Sequence, residues 1–529
     1  MESYIDAPTL HGRLLAHSEI ALIDVREALD FSSGHINLAR HVPLSSLELT
    51  VCALVPRLGT PIVLCDGGTE SGDDFALRSW AILTRLGFAD VRVLHGGVAS
   101  WREHGYVTSV GYGTFVRSFA DQVRVRFSTP TITPEELNQR FRSGRPTTVI
   151  DARPKGEFAY ASIPNARNYP GVELPTRRLD APDPDHLWVI TCFSRTRGAI
   201  GTTTMRVLRR IENVAFLEDG VMSWFVHGFE TRMGATAIDD IPEETPKALR
   251  EISEKIIGEN GLKTVTPDLL QKWRRDDERT LYMFDVRQPD SGSASMEPGV
   301  MRVPGGQLLM HYDLHVVTRR ARVVLIDDDH ALRATVTGYW LTQLADADIY
   351  ILRGQPLPMA DLAHSFSRPT HLGILASDLF KVTFNENTVV VDVGPSADYE
   401  KQHLPAAYFM LSSKLPDTTF PSSWTNFVFV SKDGTVAELV ARDAVSLGMS
   451  NVRWLIGGTN AWVAEGLPTE SHWTQGQLLT PFLDDWGSVM RLAPDRRAAI
   501  YPKFLAWERA IASQMASDQT INFQFFDRP

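Results

Sequence analysis

Thr148-Val149-Ile150-Asp151-Ala152-Arg153 is a short apolar run closed by an acidic and a basic residue, and the chain carries four versions of it. The other three versions are Leu22-Ile23-Asp24-Val25-Arg26, Met283-Phe284-Asp285-Val286-Arg287 and Val390-Val391-Asp392-Val393-Gly394. Each version is typical of a buried strand that ends at Asp, and in three of them Arg follows two residues later. An ordered repeat of this kind predicts a tandem array of small units, each of about 100 residues.

A second phrase follows the first in each unit and ends three times in tryptophan. Its copies are Leu94-His95-Gly96-Gly97 with Trp101, Leu217-Glu218-Asp219-Gly220 with Trp224, Leu455-Ile456-Gly457-Gly458 with Trp462, and the shorter Leu352-Arg353-Gly354. Between the two phrases lie a further apolar strand and a helical pattern; these strands are 61–64, 188–191, 323–326 and 427–430. Apolar strands that alternate with helices predict an α/β fold, in which each unit is a small, mostly parallel sheet with helices on both faces. We expect the tryptophans to fill the cores.

The repeats predict four domains and a C-terminal tail. Their expected bounds are 5–108, 130–233, 262–356, 373–470 and, for the tail, 471–529. A polar linker, 239–246, separates the second domain from an amphipathic stretch, 248–257, that predicts a connecting helix. The tail is rich in aromatic residues (Trp473, Trp486, Trp507, Phe523, Phe525 and Phe526). Because so much aromatic surface is unfavourable in water, we expect it to pack on the domains or on a second subunit, which leaves a homodimer open.

Composition excludes several classes of protein. The chain has 529 residues, of which 43% are hydrophobic and 22% charged, as in ordinary globular proteins. Its 53 basic and 64 acidic residues give a net charge of −11, which argues against binding to nucleic acid or to anionic membranes. Three cysteines are too few for a disulfide framework and favour a reducing compartment. With no signal peptide and no long apolar stretch in the sequence, we expect a soluble, cytoplasmic protein.

Cys192 is the strongest candidate for a chemically active residue. It follows the apolar strand 188–191, and Phe193-Ser194-Arg195-Thr196-Arg197-Gly198 leads from it into a helical pattern. Between a strand end and a helix start, a cysteine faces backbone N–H groups and the positive end of the helix dipole, and two guanidinium groups add positive charge. We therefore expect a lowered thiol pKa, a thiolate nucleophile, and an oxyanion cradle with Arg195 or Arg197. The alternative is a buried, inert cysteine.

Cys65 is the candidate for a second nucleophile. It follows Asp24 at a separation of 41 residues, and Cys192 follows Asp151 at the same separation, which indicates that the two cysteines hold equivalent positions. The loop after Cys65 is longer and contains acidic residues, beginning with Asp66. We therefore expect a raised thiol pKa at Cys65 and repulsion of anionic substrates.

The chain resembles the rhodanese sulfurtransferases, and in particular proteins with four rhodanese domains in tandem. The resemblance is carried by the Asp-x-Arg strand ends, by Gly34-His35-Ile36, by the loop at Cys192 and by the Leu-x-Gly-Gly-x-x-x-Trp endings, over about residues 10–470. It implies four rhodanese-like domains and a double-displacement reaction. In that reaction a cysteine takes the outer sulfur of thiosulfate or a similar donor as a persulfide and passes it to a thiol or cyanide.

Carried over residue by residue, the resemblance implies a sulfurtransferase site on the second domain. Cys192 would be the nucleophile and persulfide carrier, and Arg195, Thr196 and Arg197 would bind the anionic part of the donor. Arg153 is a further candidate for substrate binding, although an arginine at this position is more often a structural partner of the Asp two residues before it. The implied partners are a small sulfur-containing anion and a thiol acceptor, and no metal or organic cofactor is implied.

The chain departs from the family pattern in several places. In the second unit Ala161-Ser162-Ile163-Pro164 stands where Gly-His-Ile-Pro is usual. The third and fourth units carry Asp327 and Ser431 at the position of the nucleophile. A carboxylate cannot form a persulfide, and Ser431 has no activating base in its sequence neighbourhood. We therefore expect the third and fourth domains to be inactive and structural or regulatory, and the first, with its acidic loop, to be degenerate or weakly active.

Two other functions share features of this sequence with sulfur transfer. Cysteine phosphatases share the oxyanion cradle but carry arginine six positions after the cysteine, where this chain has Gly198 in the second unit and Ser71 in the first. The loop is therefore one residue too short for phosphate. A non-enzymatic scaffold or sulfur-binding regulatory protein is the other alternative, because at least two of the four units have lost the nucleophile.

Overall fold

The structure is a computed structural model, and it describes residues 3–68, 74–180, 183–236, 238–289, 299–354, 371–382, 388–489 and 492–527. Its described part contains four main sheets, one in each repeat unit, and a two-stranded sheet in the first unit, with helices around them. The predicted fold class, repeated α/β units with mostly parallel sheets, is confirmed. No helix within the described ranges is long and apolar enough to cross a membrane.

The first unit and the helix after it account for the first thirteen helices and strands. In chain order these are β1 (Tyr4–Ile5), α1 (Ala7–Leu15), β2 (Ile20–Asp24), α2 (Ala28–Ser33), β3 (His35–Ile36), β4 (Arg40–His41), α3 (Leu44–Leu54), β5 (Ile62–Cys65), α4 (Phe75–Arg85), β6 (Val91–Leu94), α5 (Gly97–Glu103), β7 (Thr108–Ser109) and α6 (Thr114–Arg126). Helix α6 connects this unit to the second.

The second unit has the same succession and ends in a long connecting helix. Its elements are β8 (Thr131–Ile132), α7 (Pro134–Arg142), β9 (Thr147–Asp151), α8 (Lys155–Tyr160), β10 (Arg167–Asn168), a 3-10 helix (Gly171–Thr176), β11 (Leu187–Thr191), α9 (Thr196–Val207), β12 (Val214–Leu217), α10 (Gly220–Val226) and α11 (Pro246–Asn260). Helix α11 confirms the predicted connecting helix. It begins at the cap residue Thr245, whose hydroxyl accepts the N–H of Ala248, and ends at Gly261 in the left-handed region.

The third and fourth units repeat this order with small changes. The third contains β13 (Lys263–Val265), α12 (Pro267–Trp273), β14 (Leu281–Asp285), β15 (Val300–Arg302), α13 (Gly305–Met310), α14 (Tyr312–His315), β16 (Thr318–Arg319), β17 (Arg322–Ile326), α15 (Leu332–Leu344) and β18 (Asp348–Leu352). The fourth contains β19 (Gly373–Ile374), α16 (Ala376–Val382), β20 (Thr388–Asp392), α17 (Ser396–Lys401), β21 (Tyr408–Phe409), a 3-10 helix (Ser412–Asp417), β22 (Asn426–Val430), α18 (Thr435–Ser446), β23 (Val452–Leu455) and α19 (Gly458–Ala464). A 3-10 helix (Gln475–Gln477) and α20 (Pro494–Met515) follow.

All four sheets share one strand order, which places the repeated Asp beside the strand that carries the candidate nucleophile. In the second unit the order is β8-β12-β11-β9-β10, and the first, third and fourth units have the same order of equivalent strands. The strand ending at Asp (β2, β9, β14 or β20) pairs in parallel with the next long strand (β5, β11, β17 or β22). Their carboxyl ends therefore meet at one edge, where open α/β sheets bind ligands.

Three of the four repeated Asp residues pair with arginine, and the three tryptophans of the repeats fill the cores as predicted. Asp24, Asp151 and Asp285 each form an ion pair with the Arg two residues later, at 2.6, 2.6 and 2.8 Å. Trp101, Trp224 and Trp462 are buried, and each indole N–H donates to the carbonyl six residues further on. These bonds satisfy the only polar atom of a large core side chain, as burial of an indole requires.

The units contact one another across several interfaces. Strand β16 of the third unit pairs antiparallel with β2 of the first, with Thr318 opposite Ala21. Between the second and third units the backbones meet at Gly171 and Gly306, where a Cβ on Gly171 would lie 2.6 Å from the other Cα. Glycine at both positions permits this close approach, which brings the carboxyl edges of the two sheets together.

Candidate active site

The residue that directly follows the second long strand of each unit is called here the junction residue. The four junction residues are Asp66, Cys192, Asp327 and Ser431. The backbone defines this equivalence. The residue after each repeated Asp donates its N–H to the last residue of the neighbouring strand, which is Cys65, Thr191, Ile326 or Val430. The carbonyls of Asp66, Cys192 and Ser431 then accept from the start of α5, α10 and α19.

This register corrects the predicted equivalence of the two cysteines. Cys65 pairs with Asp24 inside the sheet, whereas Asp151 pairs with Thr191, the residue before Cys192. The first unit has one more residue between its two long strands, so that equal spacing in the sequence places Cys65 one position too early. Since successive strand residues point to opposite faces, Cys65 does not occupy the position of Cys192.

Cys192 lies where the sequence predicts it, between the end of β11 and the start of α9. The backbone N–H of Gly198, in the first turn of α9, donates to the thiol. Gly198 itself packs against the ring of Phe216, where a Cβ would lie 2.6 Å away, so that α9 sits close against the sheet. The helix start therefore does present an N–H group to the sulfur, as a site for negative charge requires.

The pKa of Cys192 nevertheless lies above its ordinary value, and the predicted lowering is wrong for this structure. Burial raises the thiol pKa most, since the side chain is only 2% exposed, and the carboxylates of Glu508 and Asp151 raise it further. Arg197 and the N–H of Gly198 lower it without compensating. The helix start and the arginines can be read from the sequence, whereas the loss of water around the sulfur depends on tertiary packing.

Each of the three candidate arginines is held by carboxylates. Arg197 donates to both oxygens of Glu157 at 2.7 Å and lies close enough to the thiol to lower its pKa. Arg195 donates to Asp219 at 2.7 Å and to Asp121 at 2.5 Å, so that it joins α9 to α10 and α6. Of the two, Arg197 is therefore the one whose charge acts on the sulfur.

Arg153 and Thr196 are buried beside the same loop. Arg153 is fully buried; it donates to Asp151 and to the carbonyl of Ala161, and its guanidinium lies 5.5 Å from the centre of the Phe193 ring. The Thr196 hydroxyl and Nη1 of Arg153 are buried and make no hydrogen bond. Buried polar atoms without partners are unusual in folded proteins.

The C-terminal helix α20 covers the Cys192 loop, a contact that the local sequence around Cys192 does not predict. Glu508 of α20 is 4% exposed, accepts the Ser194 hydroxyl at 3.1 Å and forms an ion pair with Arg117. Tyr501 and Leu505 of the same helix form a hydrophobic cluster with Phe193, Met222 and Val489. The aromatic richness of the tail was the only sequence signal of this contact.

In the other three units, a side-chain oxygen of the junction residue accepts a backbone N–H at the start of the following helix. Asp66 accepts the N–H of Ala76 at the start of α4 at 3.1 Å, and Asp327 accepts that of Ala334 in α15 at 3.1 Å. Ser431 accepts the N–H of Ala437 in α18 at 3.2 Å. A side chain therefore fills this N–H position in all four units, and only in the second is it a thiol.

Cys65 is fully buried in the first unit. Burial is the main cause that raises its thiol pKa well above the ordinary value, with Asp24 and Asp66 adding to it and Arg26 opposing it. The predicted raising of this pKa is confirmed. Residues 69–73 of the enlarged loop, which include Glu70 and Ser71, lie outside the described residues.

Four α/β units with parallel sheets, one of them with a cysteine at the strand-to-helix junction, define a class of protein built from repeated small α/β domains. Within that class, the chain belongs to the family of rhodanese-like domains. The profile of that family matches residues 7–104, 133–227 and 377–465, together more than half of the chain. The third unit lies outside the matches although its sheet has the same strand order. The family that the sequence motifs indicate is thus confirmed.

Solved and curated proteins of this family resemble the chain to different extents. A crystal structure of a thiosulfate sulfurtransferase from Pseudomonas aeruginosa is similar over 100% of both chains, with 29% sequence identity and a TM-score of 0.90. The putative thiosulfate sulfurtransferase SseB of Mycobacterium tuberculosis is 31% identical over 128 residues, 19% of this chain and 44% of that relative. The chain thus spans less than half the length of SseB. The thiosulfate sulfurtransferase GlpE of Pseudomonas fluorescens is 27% identical over 103 residues, 19% of this chain and 88% of the relative.

Proposed function

We propose that the protein is an enzyme of the thiosulfate sulfurtransferase type, with Cys192 as its nucleophile. The observation that carries the proposal is that Cys192 is the one thiol among the four junction residues, with a helix N–H and the Arg197 guanidinium acting on it. The whole-length similarity to a thiosulfate sulfurtransferase, at 29% identity, supports the same reaction class.

The proposed reaction has two displacement steps. In the first, the Cys192 thiolate attacks the outer sulfur of thiosulfate or a similar donor; a sulfur–sulfur bond forms at Cys192, the donor's sulfur–sulfur bond breaks, and sulfite leaves with the electron pair. In the second, a thiolate or cyanide attacks the outer sulfur of the persulfide. The acceptor leaves with that sulfur, as a persulfide or thiocyanate, and the Cys192 thiolate returns.

The proposed binding groups for the donor are Arg197, Thr196, Arg195 and Arg153. Arg197 acts most directly, since its positive charge already favours the thiolate and would also favour an incoming anion. The Thr196 hydroxyl and Nη1 of Arg153 are donors without a hydrogen-bond partner and could donate to the bound donor anion. Arg195 is paired with two carboxylates, so its proposed contribution to donor binding is weaker than that of Arg197.

The proposed reaction requires α20 to move away from the Cys192 loop. The thiol is 2% exposed, and Glu508 of α20 raises its pKa, so the closed arrangement disfavours both entry of the donor and formation of the thiolate. Displacing α20 removes the nearby carboxylate and admits water, and both changes lower the thiol pKa. A donor anion that reaches Arg197 would stabilise this open arrangement.

The remaining parts of the proposal concern the other units and the setting. The bounds 5–108, 130–233, 262–356 and 373–470 are proposed as four rhodanese-like domains, of which the second is active and the third and fourth are inactive. We place the protein in the cytoplasm, where three unpaired cysteines stay reduced, and a thiol there is the proposed acceptor.

The test is cyanide-dependent release of thiocyanate from thiosulfate by the wild type and by Cys192→Ala. The variant should lose the activity, and the wild type incubated with thiosulfate should carry about 32 Da more on the peptide that contains Cys192, the mass of one sulfur in a covalent intermediate. Equal activity of the two proteins would overturn the assignment to Cys192.

The second candidate function is a non-enzymatic scaffold or sulfur-binding regulatory protein, and the burial of Cys192 under α20 favours it. A scaffold of this kind would show no turnover with several sulfur donors. A regulatory sulfur-binding protein would take up one sulfur on Cys192 without passing it to cyanide or thiols. Turnover with any donor rejects both.

A further inference from the structure

An arginine near the start of α20 is buried without a counter-charge. Arg497 is 4% exposed, and within the described ranges neither a hydrogen bond nor an ion pair holds its guanidinium. The guanidinium lies 4.4 Å from the centre of the Tyr160 ring. This ring attracts the cation but offers its N–H groups no oxygen atom. Because a buried charge without a partner is costly, Arg497 points to a ligand of opposite charge.

A second guanidinium with an unused N–H group lies on the other side of the same contact. Arg153, in the second unit, is fully buried; its Nη2 donates to Asp151 and to the carbonyl of Ala161, while its Nη1 makes no hydrogen bond. It lies 5.5 Å from the centre of the Phe193 ring, and that ring lies 6.3 Å from the ring of Tyr160. One cation of α20 and one of the second unit therefore flank a single pair of rings.

Both cations act on one group, the Tyr501 hydroxyl of α20. Burial and the neighbouring Tyr160 raise the pKa of this phenol, whereas Arg497 and Arg153 each lower it. Since the effect of a charge falls off with distance, the two guanidinium groups converge on the same region. The Tyr501 ring also packs on Phe193, with centroids 5.8 Å apart, so that this region adjoins the Cys192 loop.

The carboxylates around the Cys192 loop are already paired with other arginines. These pairs are Asp151 with Arg153, Glu157 with Arg197, and Glu508 with Arg117. Arg497 is therefore an excess positive charge at the contact between α20 and the second unit. An anion that bound there would meet two guanidinium groups with unused N–H donors.

We propose that a small divalent oxyanion, such as sulfate or the sulfite that the proposed reaction releases, binds between Arg497 and Arg153 and joins α20 to the second unit. Guanidinium N–H groups match the oxygen atoms of such anions, and two cations favour two negative charges. Because α20 covers Cys192, an anion bound on both sides of the contact holds the cover in place. Accumulated sulfite would thus slow the next turnover, a consequence that rests on the proposed function.

The test is alkylation of Cys192 in the full-length protein by the neutral reagent iodoacetamide, measured by mass spectrometry of the peptide that contains it. Sodium sulfate at several times its Kd should slow this alkylation by about fivefold or more, relative to sodium chloride at the same ionic strength, because it favours the closed arrangement. Sodium acetate, whose anion carries a single charge, should have a much smaller effect. The measurement needs no turnover, so the anion site and sulfur transfer can fail separately.

The decisive variant is Arg497→Gln, and Arg496→Gln is its matched control because Arg496 is the exposed neighbour on the same helix. Sulfate should not slow the alkylation of Arg497→Gln, whereas Arg496→Gln should respond like the wild type. Arg497→Lys, which keeps the charge but not the planar fork, should retain part of the effect. In chloride, Arg497→Gln should unfold at a temperature no lower than the wild type, since an uncompensated buried charge has been removed.

Several results would overturn the proposal. Sulfate bound at Arg197 instead would open the site and speed the alkylation. Equal effects of sulfate and chloride would indicate general screening of charge. An undiminished sulfate effect in Arg497→Gln, an equal loss of the effect in Arg496→Gln, or a lower unfolding temperature of Arg497→Gln in chloride would each show that Arg497 does not hold an anion.

Discussion

In the first and second units, a backbone N–H at the equivalent helix start donates to different side chains. The backbone geometry is shared, but only one of the two side chains can react. In the first unit the Asp66 carboxylate accepts from the start of α4; in the second, the Cys192 thiol accepts from the start of α9. The backbone thus provides a site for a negative group in both. The first unit fills that site permanently with its own carboxylate, whereas the second fills it with a group that can become a thiolate and react.

Replacing the junction residue of the second unit by that of the first should produce the largest effect on sulfur transfer. Cys192→Asp places a carboxylate on the N–H of Gly198, as Asp66 is placed in the first unit, so the fold should persist. Thiocyanate release should fall by about a thousandfold or more, because a carboxylate cannot carry sulfane sulfur. Comparison of thermal unfolding for this variant and the wild type checks that the protein is folded. Residual activity within tenfold of wild type would mean that the chemistry takes place elsewhere.

The second and fourth units differ in the partner of the repeated Asp, and this difference predicts opposite effects on stability. Asp151 is paired with the fully buried Arg153, so Asp151→Asn leaves a buried guanidinium without its counter-charge and should cost about 3–5 kcal/mol of unfolding free energy. Asp392 has Gly394 two residues later and, within the described part of the chain, accepts its N–H at 2.9 Å and pairs with no arginine. Burial without a cation raises the Asp392 pKa to about 7.

The pH dependence at Asp392 follows from this raised pKa. A carboxyl whose pKa is higher in the folded protein holds its proton there, so its contribution to stability is full below about pH 4 and is lost as the pH rises to about 7. Asp392→Asn removes that loss and should stabilise the protein at pH 8, by up to a few kcal/mol (about 1–4), but not at pH 4. Urea unfolding at both values measures it, and an equal effect at the two would contradict the account.

Glu508 belongs to the tail helix that covers the second unit, and its replacement should have a moderate effect on the pKa of the Cys192 thiol. Glu508→Gln keeps an acceptor for the Ser194 hydroxyl but removes a charge that raises the Cys192 thiol pKa. The thiol pKa should therefore fall, and the thiolate fraction at neutral pH should rise by roughly two- to tenfold, since one pKa unit is about 1.36 kcal/mol. Ultraviolet titration of the thiolate, with Cys192→Ala as the blank, measures this shift.

The control for Glu508→Gln is Asp495→Asn, which removes an exposed carboxylate from the first turn of the same helix. This variant should titrate like the wild type. If both variants shift the thiol pKa equally, the effect comes from loosening of α20 rather than from the charge of Glu508.

Local patterns were sufficient to predict the repeated sheets, the Asp–Arg pairs, the buried tryptophans and the place of Cys192 at the end of β11. Each depends on residues close together in the sequence or on the alternation of strands and helices. The state of the thiol could not be predicted in this way, because Glu508 lies more than 300 residues away in sequence and reaches Ser194 only through the packing of the tail helix on the second unit. Burial depends on the same long-range packing.

The error at Cys65 has a different origin. Counting from the repeated Asp assumes that the loops between the long strands have equal length, but loops tolerate insertions, and one extra residue in the first unit shifts the alignment by one position. In a strand such a shift moves a side chain to the opposite face. Register, which hydrogen bonds reveal and spacing does not, decides which residue faces the site.

Cys65→Ala should therefore produce the smallest effect and sharpens the comparison between the two cysteines. Cys65 is fully buried inside β5, and Asp66, not Cys65, holds the junction position of the first unit. Sulfur transfer should stay within about twofold of wild type, and the lost packing of one sulfur atom should cost about 1 kcal/mol of stability. Activity assays and urea unfolding measure the two effects. A persulfide found on the Cys65 peptide, or a large loss of transfer, would show that a fully buried strand residue can reach the donor and would invert the roles of the two units.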